Sequence, residues 1–229
     1  RHKSKADLVT EADTTIETYL LGKVQSNFPG HSVNAEETGL HEGDKDHEWF
    51  IDPIDGTLNY AHGLPQYAIS LAYASQGELK LGVIANPPMQ EIFSAEVGKG
   101  AYLNGKRIQV SETRELIDSM LITGFRYHLL DTPRSNVNNF IRLSHEVQAV
   151  RRLGSAALDM AYVACGRVEG FWEIDLNPWD VAAGILLIRE AGGEVSTLYG
   201  EGNLLRGSVD ILAANPEIFP KMQAILSEE

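Results

Sequence analysis

The feature that most limits what this chain can become is the stretch Trp49-Phe50-Ile51-Asp52-Pro53-Ile54-Asp55-Gly56-Thr57-Leu58-Asn59. It opens with an apolar run of the kind that fills a buried strand. Two carboxylates, Asp52 and Asp55, close that run with a proline between them. Pro53 fixes its own φ and drives Asp52 toward extended backbone, so both acids are expected to leave the strand through a tight, rigid turn. They would then face the crevice at the strand's carboxyl end, where ligands of α/β sheets sit. Two hard oxygen donors held this way suit Mg²⁺, which takes one or two carboxylates and keeps water and substrate phosphate for the rest. Gly56 lets backbone approach an anion closely, and the N–H groups after it can receive phosphate. The plainer alternative is an Asp-Gly turn with solvated carboxylates.

Charge sharpens the choice. The 229 residues carry a formal net charge of −13, which disfavours nucleic acid and anionic membranes as partners. It also suits an anionic substrate poorly, unless bound cations invert the local field, and that tension favours metal. Cys165 is the only cysteine, so no internal disulfide forms and a reducing cytoplasm is expected. No apolar run approaches the roughly 20 residues of a membrane span, and no signal peptide is visible in a sequence that begins at Arg1.

Three further stretches bear on chemistry, and each has a bland reading of its own. Glu36-Glu37 follows a short strand expected over 31–34, and adjacent acids are commonly surface. In Asp7-Leu8-Val9-Thr10-Glu11-Ala12-Asp13, Thr10 or Asp13 could simply cap the helix expected from Thr10 to Phe28. In Asn177-Pro178-Trp179-Asp180-Val181-Ala182-Ala183-Gly184, Asp180 could do no more than meet the helix dipole. A fourth candidate is a decoy. Gly100 to Lys106 begins like a phosphate loop, but Arg107 stands where Ser or Thr is needed, and Asn104-Gly105 reads as a hairpin turn.

The coarse pattern is α+β. Polar loop is expected over 39–46 and strands over 66–75, 78–86, 91–96, 101–110, 119–123, 168–174, 195–198 and 210–214. Helices are expected over 133–150, 155–165, 178–191 and 216–226, the first with Val137, Phe140, Ile141, Ser144 and Val147 on one face. One domain spans 1–229, built from two packed halves meeting near 117–118.

Taken together, Asp7-x-Val9-Thr10-x-x-Asp13, Glu36-Glu37, Asp52-Pro-Ile-Asp55-Gly-Thr57-x-Asn59 and Trp179-Asp180-x-Ala-Ala-Gly184 resemble, in order and spacing, the inositol monophosphatase family over nearly the whole chain. The resemblance implies a layered α-β-α-β-α sandwich of the inositol monophosphatase and fructose-1,6-bisphosphatase type. It implies a lithium-sensitive phosphomonoesterase using two to three Mg²⁺ ions, and a homodimer. By similarity, Glu36, Asp52 and the carbonyl of Ile54 hold one ion, and Asp52, Asp55 and Asp180 a second. Glu36 also touches a third through water, and Thr57, oriented by Asp13, positions the attacking water. The N–H groups of Gly56 and Thr57 cradle the phosphate. Glu173 accepts hydroxyls of a polyol, and Gly154-Ser155-Ala156 lines the same pocket. Phe125 and Arg126 fall near its rim, where Arg126 is either a contact for a second anionic group or a surface arginine, the second being favoured.

The implied reaction is Mg²⁺-dependent hydrolysis of a small polyol phosphate, with myo-inositol 1-phosphate the leading substrate. Fructose 1,6-bisphosphate, histidinol phosphate, NADP and 3′,5′-bisphosphate nucleotides are rivals. A non-catalytic relative acting through a partner is the alternative from another class. Two departures stand out. Ala35 replaces the glycine that many relatives carry before the Glu pair, and the helix that usually precedes the Asp-x-Val-Thr segment is missing from this sequence. A family lysine near that end corresponds to Lys3 or Lys5, and the sequence does not align it to either one.

Overall fold

A computed structural model describes residues 10–130, 132, 134–199 and 202–227. Lys3, Lys5, Asp7 and Val9 of the readings above lie outside the described residues, as does Pro133. In chain order the elements are α1 (Glu11–Asn27), β1 (His31–Ala35), β2 (Gly39–His41), β3 (Asp44–Asp55), α2 (Thr57–Ala61), β4 (Ala68–Ser75), β5 (Glu78–Asn86), β6 (Glu91–Glu96), β7 (Gly100–Leu103) and β8 (Lys106–Ile108). Then follow β9 (Met120–Thr123), α3 (Val137–Glu146), β10 (Ala149–Arg151), α4 (Ala156–Ala164), β11 (Gly170–Leu176), α5 (Pro178–Glu190), β12 (Glu194–Thr197), β13 (Val209–Ala214) and α6 (Phe219–Leu226).

Two sheets result, one of eight strands ordered β2-β1-β3-β4-β5-β6-β7-β8 and one of five ordered β10-β9-β11-β13-β12. The strands alternate, so each sheet has two faces to cover. One face of the large sheet (Val33, Trp49, Ile51, with Leu71 and Tyr73) packs on α1 through Leu20 and Val24. The other meets α4 and α5, which also cover the inner face of the small sheet through Phe171, Ile211 and Ala213. The small sheet's outer face (Leu121, Trp172, Ile174, Leu212) packs on α3 and α6 through Leu143 and Met222. The layers therefore run α-β-α-β-α, as expected.

The central helices come close because the sequence is small where they touch. β4 presents Ala68, Ser70, Ala72 and Ala74 on one face, and a Cβ on Gly82 of β5 would stand 2.9 Å from the Ala183 carbonyl oxygen. Gly184 faces Met160 of α4, where a Cβ would lie 2.6 Å from the Met160 Cβ. A helix buried all round must be apolar all round, and Val181 to Ile188 is buried without a break. Among the described residues no helix is long and apolar enough to cross a membrane.

Several expectations are corrected. The loop over 39–46 contains β2, antiparallel to β1, and the start of β3. The Asn104-Gly105 hairpin splits the strand expected over 101–110 into β7 and β8. The helix expected over 133–150 is confined, among the described residues, to α3. Val147 turns to extended backbone, and Ala149–Arg151 pairs with β9. Its inward face is also different: Ile141 is half exposed, whereas Asn139 and Leu143 are buried. The reason is a polar network, in which Asn136 donates to Thr123 Oγ1 (2.8 Å) and Gly124 O (2.7 Å) and accepts from Trp172 Nε1 (2.8 Å). The terminal helix starts at Phe219 rather than Pro216, because Asn215 Oδ1 first accepts from the N–H groups of Glu217 and Ile218.

Candidate active site

The turn expected after Asp52 does not form there. β3 runs on through Pro53 to Asp55, and its register against β4 slips, Asp52 facing Ser70 and Asp55 facing Ala68. Three steps on β3 match two on β4, so one extra residue is inserted, a β-bulge. A bulge tolerates a proline that has no N–H to give the ladder. It also changes the side-chain facing. Residues three apart in a regular strand point to opposite faces, yet here Asp52 and Asp55 line one cavity of about 980 Å³.

Gly56, at φ +92°, ends the strand and starts α2. A Cβ there would lie 2.9 Å from the Gln66 carbonyl oxygen and 3.1 Å from that of Gly154, so the turn is closed to other residues. Asn59 bolts it down, donating to Gln66 O (2.7 Å) and Leu153 O (2.8 Å). The Thr57 hydroxyl lies 2.9 Å from Ile54 O and 3.2 Å from Asp13 Oδ1.

Asp13 caps α1 and also touches Thr57. Fully buried, it completes a capping box with Thr10 and reaches Thr57 with its other oxygen. One turn on, Glu17 is just as buried, and its carboxylate accepts from the N–H groups of Glu37 (2.8 Å) and Thr38 (2.9 Å). It therefore fixes the turn directly after Glu36. The sequence reading missed Glu17. Its signal was the spacing 13, 17, 20, 24, an acid at a core position one turn after Asp13.

Every other predicted residue meets in the same cavity: Glu36, Asp52, Ile54, Asp55, Gly56, Thr57, Gly154, Ser155, Ala156, Glu173 and Asp180. Asp13 does not line it and touches it only through Thr57. Ser155 caps α4 and gives its hydroxyl to Asp55 Oδ2 (2.6 Å), which also accepts from Ala157 N (2.6 Å). Asp180 Oδ2 accepts from Asn177 N (2.8 Å), completing a capping box for α5. Glu173 lies on β11 against Gly124, where any Cβ would run into its carboxylate. It is buried, not a solvated strand-end charge. Arg126 is not a surface arginine either: its guanidinium reaches Asp180 Oδ2 at 3.2 Å.

The electrostatics of this cluster are adverse as it stands. Burial, then the charges of Glu36, Asp55 and Asp180, hold the Asp52 carboxyl well above the usual range. Burial and Asp180 push Asp55 up to about 7, against the pull of Ser155 and Ala157. Burial pushes Glu173 to about 8, with Arg126 opposing and Asp180 and Asp55 adding to the rise. Asp180 is raised by burial despite Arg126. Asp159, buried behind the site, is raised by burial, Glu173 and Asp55. Buried like charges of this density call for a cation.

The donor set fits a hard divalent ion. All the donors are oxygen, and the buried Asp52 Oδ1 has no hydrogen-bond partner. Among the described residues no three of these side chains form a closed metal cluster as they stand. Asp55 and Asp180 each have Oδ2 held by protein donors, which fixes both carboxylates in the cavity wall.

The chain matches the inositol monophosphatase family over residues 1–228. The chain belongs to the inositol monophosphatase family. An inositol-1-monophosphatase of Mesorhizobium japonicum is 45% identical over 213 residues, covering 90% of this chain and 79% of that protein. The Nus factor SuhB of Escherichia coli is 42% identical over 229 residues, covering 99% and 85%. The inositol monophosphatase structure from Anabaena (Nostoc) superposes with a TM-score of 0.89 at 44% identity, covering 95% and 86%. An IMPase/NADP phosphatase complexed with Mg²⁺ and phosphate superposes with a TM-score of 0.88 at 26% identity, covering 99% and 85%. The family is one of phosphatases, and this chain is a phosphoric monoester hydrolase.

Proposed function

We propose that this phosphatase hydrolyses a small polyol phosphate, myo-inositol 1-phosphate first among them, with Mg²⁺ held by Glu36, Asp52, Asp55, Asp180 and the Ile54 carbonyl. The observation that carries this reading is the convergence of those acids on one cavity beside the Thr57–Asp13 pair, with Asp52 Oδ1 buried and unmet. Mg²⁺, two or three ions by family resemblance, supplies charge neutralisation of the phosphoryl oxygens and a water of lowered pKa.

The chain's own residues do the rest. The Thr57 hydroxyl, held by Asp13, orients the attacking water, and the N–H groups of Gly56 and Thr57 receive phosphoryl oxygens at the start of α2. Water adds to phosphorus, the ester P–O bond breaks, and the proton that the water gives up ends on the leaving oxygen, which becomes the alcohol. Ser155 and the Ala157 N–H keep Asp55 turned toward the cavity. Glu173 faces the cavity beside Arg126 and Arg152, and its carboxyl is the group offered to polyol hydroxyls.

The test is phosphate release from inositol 1-phosphate, fructose 1,6-bisphosphate, histidinol phosphate, NADP and adenosine 3′,5′-bisphosphate, each with Mg²⁺, with EDTA and with lithium. Release led by inositol 1-phosphate and inhibited by lithium is expected. Release led by another substrate overturns the use made of Glu173. The identity to proteins called Nus factor SuhB supports a second reading, a role exerted through a partner. Absence of release from every substrate favours it.

A further inference from the structure

Arg126 is placed by the fold, not merely attracted by its neighbours. Its Nε donates to the carbonyl oxygen of Asp175 at 2.9 Å. That carbonyl is presented by an unusual piece of backbone. Asp175 has φ +61°, and the β11–β13 register slips between Glu173 and Leu176. A non-glycine residue rarely adopts such a φ unless its surroundings impose it. Here they do: Asp175 N donates to Asp210 Oδ1 (2.8 Å), and Ser208 donates to Asp175 Oδ1 (2.7 Å). Asp210 is held in turn by Arg134, at 2.9 and 3.0 Å to its two oxygens. The guanidinium fork is planar, so fixing Nε fixes the direction of its other donors. One of them meets Asp180 Oδ2 at 3.2 Å. The acids facing this cation are Asp180, Glu173, Asp175 and Asp55.

We propose that Arg126 is a built-in competitor of the metal ion, a tethered cation that pairs with Asp180 and sets how tightly Mg²⁺ binds there. The inference rests on the reading of Asp180 as a metal ligand. Two positive charges cannot share one buried carboxylate without mutual repulsion, and the partly desolvated site strengthens that repulsion. Mg²⁺ must either displace the guanidinium from Asp180 or bind beside it. In both cases Arg126 weakens the ion at this position, while giving the metal-free site part of the positive charge it lacks. Arg126 is thus an affinity-determining residue for the cofactor, and it need not touch substrate.

The test is calorimetric titration of Mg²⁺ alone into EDTA-stripped, dialysed protein, for wild type, Arg126→Gln, Arg126→Lys and Asp180→Asn. Arg126→Gln is expected to bind Mg²⁺ about tenfold or more tightly than wild type, because one facing charge is gone. Arg126→Lys keeps the charge but loses the Nε tether, and falls between the two. Should Arg126→Gln fail to fold, Arg126→Lys alone decides, and affinity no tighter than wild type overturns the proposal. Asp180→Asn tests the underlying reading and is expected to bind more weakly. If it weakens while Arg126→Gln matches or falls below wild type, the competitor role is wrong and the metal site stands. If Asp180→Asn binds as wild type does, the metal-site reading fails and the proposal falls with it.

Discussion

Asp52 sits under two opposed demands. It is buried beside Glu36, Asp55 and Asp180, and its own oxygen Oδ1 has no donor. Such an arrangement destabilises the metal-free fold and is retained for what it binds. Asp52→Asn is therefore expected to raise the melting temperature of the metal-free protein by a few degrees, about 1 kcal/mol or more. Differential scanning calorimetry in EDTA checks it, and a lowered midpoint would contradict it. Glu17 acts at one remove. Glu17→Gln replaces one of two acceptors by an N–H donor that faces the Glu37–Thr38 amides. An unmet buried group costs about 1–3 kcal/mol, so a lower melting point is expected together with Mg²⁺ affinity reduced about tenfold. Unchanged Mg²⁺ binding in the folded variant would make Glu17 structural only. The acids in dense motifs were legible because their spacing repeats a family pattern. Glu17 was not, because one acid on an amphipathic helix reads as solvent face until its partners across the chain are known.

The elements position these residues by departures from regularity that a sequence shows only dimly. The bulge in β3 turns Asp55 to the side of Asp52, and Pro53 marked the place but suggested the end of the strand. α5 was legible from Pro178 to its end, since proline, an acidic first turn and small residues all agree. α3 was not, because its inward residues are asparagines engaged with Thr123, Gly124, Trp172 and Tyr199, and its apolar Ile141 faces out. Periodicity of apolar residues cannot report a face built on hydrogen bonds. The close approach of α5 to α4 gives its own prediction. Gly184→Ala sets a Cβ against the Met160 Cβ, which cannot swing away. The expected cost is about 1–3 kcal/mol, read as a lower urea midpoint with unchanged slope, and a neutral result would show that α4 and α5 can separate freely.

Across the whole molecule the acidic site couples stability to pH and to metal. The folded protein holds Asp55 up at about 7 and Glu173 at about 8, whereas the unfolded chain releases those protons near pH 4. Between these limits the folded state binds more protons, so stability is greatest at the acid end of this window and falls as pH rises through the folded values. Metal-free protein is expected to lose stability steadily from about pH 5 to 8, by on the order of 1.4 kcal/mol for each unit of raised pKa. Mg²⁺ should abolish most of that loss, since a cation favours the ionised carboxylates and binds only the folded site. Denaturation midpoints at pH 5.5 and 8, with EDTA and with Mg²⁺, check both statements, and a metal-free midpoint that rises with pH would contradict them. The α-β-α-β-α layering was legible from motif order. The pairing of the two sheets through α4 and α5 was not, because it depends on Gly82 and Gly184, single glycines with no periodic signal.

On the proposed reading, Asp52 organises the metal on which phosphate release depends. Its most direct test is the rate of phosphate release from myo-inositol 1-phosphate across a Mg²⁺ titration, for wild type and Asp52→Asn side by side. Wild type should be inactive in EDTA and rise to saturation with Mg²⁺, while the folded variant stays at background throughout. Wild-type release in EDTA, or full turnover by Asp52→Asn, would contradict the account.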